Sequence, residues 1–163
     1  MRADQPIFSR GTTKTVVMEA QLLVLLRQLG DEAAFVAVNR GAPQSPGLPV
    51  GLGPDRVPGG QVSVWLPMPA EGAAAAWLAS WEGSRQVRFV DVPEGWRVVG
   101  SAPELGGWNP GTALQQEQTE LPVGEVVSWK LVRVDAEGAV QWEEHENRFL
   151  HVVPGDGVLK VTP

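Results

Sequence analysis

The chain has 163 residues, with no cysteine and only two histidines, His145 and His151. Without cysteine there are no disulfides, no thiolate zinc sites and no thiol nucleophiles. Basic residues are also scarce: 13 Lys and Arg stand against 19 Asp and Glu, a net charge of -6. The phosphate-neutralising attraction behind general nucleic-acid binding therefore has the wrong sign, and no nucleic-acid partner is expected. A membrane-spanning helix needs roughly 18 or more uninterrupted apolar residues. The best run here, "LLVLL", stops at Arg27 and Gln28, so no membrane association is expected either. The opening "MRADQPIFSRGTTKT" lacks the apolar centre of a secretory signal. Its Arg, Ser and Thr faintly echo an organelle transit peptide, weakened by Asp4. The expectation is a soluble, intracellular protein. There is no phosphate loop, dinucleotide fingerprint or Gly-x-Ser-x-Gly elbow, so no cofactor is expected.

What is present is turn-forming and aromatic: 19 Gly, 14 Pro and 7 Trp. So many breakers exclude a long helical bundle. Residues 1–14 read as a flexible lead. From Thr15 to Leu29, "TVVMEAQLLVLLRQL" carries apolar residues on more than one helical face and stops at Gly30, which predicts a helix with a glycine C-cap. "AAFVAV" (33–38) suits a short buried strand, and residues 39–60 are a Gly/Pro-rich loop or linker. "QVSVWLP" alternates as a strand does. "AEGAAAAWLASW" predicts a helix with Trp77 and Trp81 four apart on one face, and these two, with Trp65, read as packing residues.

From residue 84 the pattern changes to short strands at close spacing: "QVRFVDV", "WRVVGS", "VVSWKLVRV", "AVQWEE" and "RFLHVV", punctuated by "PEG", "GGWNPG", "LPVGE" and "DAEG". This predicts a β-sandwich over 84–163, preceded by a helix/strand segment of unreadable role over 15–83. The acidity lies in the β part, which holds 7 Lys and Arg against 12 Asp and Glu. His145 and His151, six apart across a strand start, are poorly placed to share a metal. Glu143, Glu144 and Glu146 around His145 offer the residue types of a carboxylate pair, but a stretch this charged reads first as a solvated loop.

Two segments, "VVGSAPELGGWNPGTAL" and "LPVGEVVSWKLVRVDAEGAVQWEEHENRFLHVV", together resemble the starch-binding domain of carbohydrate-binding module family 20. A Val-Gly-Ser segment, a Leu-Gly-x-Trp turn, a "lpxGexxxYK" strand and a "WExxxNR" ending follow in the family's order over residues 85–155. The resemblance implies a mostly β chain with an immunoglobulin-like antiparallel β-sandwich, and non-catalytic binding of α-1,4-glucans: starch, glycogen, cyclodextrin or maltooligosaccharides. Its host compartment would be the cytoplasm or a starch-containing plastid. By position, Trp108 and Trp142 are implied to stack on consecutive glucose rings, while Lys130 and Asn147 hydrogen-bond sugar hydroxyls. Glu143 and Trp96 are weaker candidates.

Taken alone, Trp108 is a turn residue whose Gly-Gly and Asn-Pro-Gly flanks give its ring little to pack on. Lys130 and Asn147, without the family pattern, would pass as a solvated strand lysine and a turn residue. Arg148 reads as the partner of a local carboxylate. Trp129 replaces the family's aromatic before the lysine and reads as core. The loop before "VVGS" is shortened to "VPEG", and a loop and strand after "TAL" are mostly replaced by "QQEQTE", so a second sugar site is in doubt and an edge is left for other segments to cover. Two other readings stand beside the binding module: an accessory part of a starch-active enzyme, and a scaffold that has lost sugar binding. A protein partner would dock through residues 1–83.

Overall fold

Thr12, Thr13, Thr15, Val16 and Val17 are β-branched, and such side chains favour extended backbone over helix. In the computed structural model, which describes residues 10–30, 32–66 and 71–163, they form strand β1 (Thr12–Met18). Strands β2 (Leu22–Leu29), β3 (Glu32–Asn39) and β4 (Gln61–Trp65) follow, paired in chain order as a four-stranded antiparallel sheet. The expected helix over 15–29 is therefore two strands. Leu22, Val24 and Leu26 are buried while Leu23, Leu25 and Arg27 are half-buried, a period of two hidden by apolar residues on both faces. The turn between the strands, "EAQ", has neither Gly nor Pro to announce it. It is closed by the Glu19 amide donating to the Leu22 carbonyl at 2.9 Å. Gly30 sits at φ 58° in the turn after β2 instead of capping a helix. Residues 12–14 of the expected lead belong to β1, and residues 1–9 lie outside the described ones.

Helix α1 (Gly72–Ser80) forms where Ala is concentrated. Its Trp77 meets Phe35 of β3 at 6.4 Å between ring centroids and Trp81 at 5.5 Å, while Trp65 stacks on Phe35 at 5.6 Å. These three tryptophans pack within this unit, as expected. The Gly/Pro-rich stretch is a folded loop. Buried Asn39 donates to the carbonyls of Ala42 (2.9 Å) and Val57 (3.0 Å), and the Trp65 indole donates to Leu52 at 2.8 Å. The chain divides into two units, Met1–Glu82 and Gly83–Pro163.

The second unit is a sandwich of two small sheets. In one, β6 (Arg97–Gly100) pairs with one edge of the long strand β8 (Val126–Val134). The other edge of β8 takes β10 (Arg148–His151) along its first half and β9 (Val140–Trp142) along its last residues. The facing sheet has the order β11 (Leu159–Val161), β5 (Ser84–Phe89), β7 (Gln118–Pro122). One expectation changes here: "QTELP" does supply a strand, β7, antiparallel to β5. The expected antiparallel sandwich also contains one parallel pair, β11 with β5. Arg85 secures the chain leading into β11 by donating to the carbonyls of Val153 (2.9 Å) and Pro154 (3.4 Å).

Alternation along β8 decides what goes where. Val127, Trp129 and Leu131 point between the sheets, where they join Val87 and Phe89 of β5, Val98 of β6 and Leu121 of β7 in one buried cluster. Trp129 meets Phe89 edge-on at 5.0 Å, and its indole nitrogen is buried without a hydrogen-bond partner. Truncating so large a core ring is expected to cost about 3–5 kcal/mol. Trp129→Ala should therefore lower the denaturation midpoint sharply. Trp129→Phe, which removes the unsatisfied indole N–H, should stay within about 1.5 kcal/mol of wild type by chemical denaturation.

Candidate functional site

The opposite face of the same sheet is formed by Ser128, Lys130 and Val132 of β8, whose side chains alternate away from the core. Facing residues in an antiparallel ladder project to the same side. Val99 of β6 faces Lys130, and Trp142 of β9 faces Val132. Val132 is buried although it follows the core residue Leu131, because it belongs to a second small cluster with Val99 and Ala113, on which Trp108 packs. Trp108 therefore has a floor of its own that its Gly and Pro neighbours do not reveal. Trp142, on the same side of the sheet, is 40% exposed. The β8–β10 pairing begins at Arg148, which faces Trp129, and Asn147 is the exposed residue just before it.

The loop bearing Trp108 is held rigidly. Gly106 (φ 84°) sits where a Cβ would lie 2.6 Å from the Thr112 carbonyl oxygen. Trp108 itself has φ 64°, a left-handed conformation that costs a non-glycine residue of order 1–3 kcal/mol. It is fixed by the Trp108 amide donating to the Gly100 carbonyl at 2.8 Å, and by the Thr112 hydroxyl donating to the Gly106 carbonyl at 3.0 Å. Asn109 accepts from the Gly111 amide at 2.9 Å. Gly100 lies in β6, where a Cβ would come within 2.6 Å of the Ser128 carbonyl.

On the other side of β8, a brace holds the segment between β9 and β10. Glu143 Oε1 accepts from the Leu131 amide at 2.7 Å and pairs with Arg148, whose guanidinium lies 5.0 Å from the centre of the Trp129 ring. Glu143 is thus turned to the protein and holds the loop, while Glu144, His145 and Glu146 are exposed. Trp96 also stands apart from the other four. It packs with Val92 and Leu114 against the core cluster and lines an open groove of about 620 Å³ with Gln115, Arg133 and Asp135. Among the described residues no group of three or more His, Asp or Glu is arranged to hold a metal ion.

Residues 84–161 match the family described as starch binding domain. The C-terminal unit is a starch-binding domain. A curated α-amylase of Streptomyces violaceus is 37% identical over 71 residues, covering 38% of this chain; the chain spans only 12% of that relative. Among solved structures, the family 15 glucoamylase of Hypocrea jecorina has a TM-score of 0.40 at 26% identity, covering 49% of this chain and 16% of that one. The γ-CGTase of alkalophilic Bacillus clarkii has a TM-score of 0.40 at 16% identity, covering 96% and 41%.

In this starch-binding domain the Glu143 brace has a titration signature. Burial opposes ionisation of Glu143, but the hydrogen bonds from Arg148 and the Leu131 amide, with the charges of Arg148 and His145, outweigh it and hold the carboxyl below its ordinary 4.5. A depressed folded-state value means that the stabilisation is present at neutral pH and is lost as pH falls from 4.5 through the folded value. Glu143→Gln is expected to destabilise the unit by about 1–2 kcal/mol at pH 7. The difference from wild type should shrink as unfolding is followed into that acid range.

Proposed function

We propose that the chain is a non-catalytic α-glucan-binding module whose site is the outer face of the β6–β8–β9 sheet. The observation that carries this reading is convergence. Four residues spread over forty positions of sequence belong to four separate segments around β8: Trp108 packs on the Val132 cluster, Lys130 lies in β8, Trp142 faces Val132, and Asn147 immediately precedes β10. Two indole rings suit the apolar faces of successive glucose rings, and an ammonium with a carboxamide between strands suits their hydroxyls. If each ring removes about 40–60 Å² of apolar surface per partner, stacking contributes a few kcal/mol before ordering costs. This corresponds to dissociation constants of roughly micromolar to millimolar, enough for a polymer that presents many sites.

The similarity to an α-amylase, of which this chain spans 12%, supports a second reading in which the module serves a starch-active enzyme as an attached or separate part. Hydrolysis of soluble starch by the chain alone would replace the non-catalytic reading.

The decisive experiment is a tryptophan-fluorescence titration with maltoheptaose and β-cyclodextrin. The wild type should show a saturable change that disappears when Trp108→Ala and Trp142→Ala are combined, and each single variant should bind at least about tenfold more weakly. A folded wild type that gives no change with either sugar would sink the glucan reading and leave a sandwich kept for protein contacts.

A further inference from the structure

Phe149 is 68% exposed in a strand whose neighbouring apolar residue, Leu150, packs on the core. Its ladder partner is Ser128, so it projects to the same face as Lys130 and Val132. Along β8 the edge formed by β9 and β10 therefore presents two aromatic levels, Trp142 at Val132 and Phe149 at Ser128, with Lys130 of β8 between them and Asn147 just before β10. Levels two residues apart on a strand are separated by about 7 Å, so the ring of Phe149 lies about 14 Å along the strand from Trp142.

We infer that Phe149 is a further contact for the sugar chain: a glucan longer than the two rings on Trp108 and Trp142 runs along β8 past Lys130 and Asn147 and lays a later glucose on Phe149. This rests on the proposed glucan reading and adds a length preference to it. The chemistry on the page favours this occupant. The exposed ring projects to the same face as the Trp142 indole, the groups between are hydrogen-bonding, and an aromatic ring is the surface that the apolar side of a pyranose matches.

The test compares maltotriose with maltoheptaose by calorimetric titration of wild type, Phe149→Thr and Phe149→Tyr. Threonine keeps the strand preference of the position while removing the ring, and tyrosine restores it. The expected result is that Phe149→Thr weakens maltoheptaose about fivefold or more, leaves maltotriose within twofold of wild type, and is rescued by tyrosine. Unchanged binding of both sugars by Phe149→Thr, with the Trp108→Ala variant still defective, would overturn the inference and leave the two-tryptophan site standing. Equal weakening of both sugars would also overturn it, because the ring would then act on the whole site. A wild type that binds neither sugar removes both readings together.

Discussion

The register of β8 is the constraint on which the rest of the sandwich depends. Its odd-numbered residues Val127, Trp129 and Leu131 fill the space between the sheets, and its even-numbered Ser128, Lys130 and Val132 form the floor of the outer face. A slip of one residue would exchange the two sets, placing Lys130 in the core and the indole of Trp129 in water. The large buried ring of Trp129, wedged against Phe89 and capped by Arg148, opposes such a slip. Core packing and presentation of the candidate ligand face are thus two consequences of one pairing.

That pairing also explains why residues near the face act without touching it. Through Oε1, Glu143 ties the β9–β10 connection to the Leu131 amide and to Arg148, the first residue of β10, just after Asn147. Gly106 and the strained Trp108 do the same on the other side, where a short loop with several internal hydrogen bonds sets one indole over Val99, Ala113 and Val132. A site ordered before the ligand arrives avoids part of the entropy cost of binding. A polymer can then be held by contacts that are each weak.

Legibility in the sequence followed the strength of the local signal. "VVSWKLVRV" alternates clearly and is bounded by turn residues, and it is a strand over the whole of its length. "TVVMEAQLLVLLRQL" misled because both faces of β2 are apolar, so a period of two looks like an apolar run, and the intervening turn uses Glu, Ala and Gln. β7 and β11 were missed because polar residues in "QTELP" and a three-residue strand carry little pattern of their own; both form by pairing with β5. Trp96 and Trp108 could not be told apart by type; only the structure shows that one packs with Val92 and Leu114 against the main core and the other on Val99, Ala113 and Val132.

By itself the sequence determined the absence of cysteine chemistry, the acidic balance, the break in character near residue 84 and the spaced Trp, Lys and Asn residues that resemble a starch-binding domain. These are properties of composition and local order, written in consecutive residues. The tertiary structure alone decided that Trp142 faces Val132, that Trp108 rests on the same patch, that Glu143 turns to Arg148, and that Phe149 stands in line with them. The side of a sheet to which a residue points depends on partners 10 to 40 positions away, and no local window contains them.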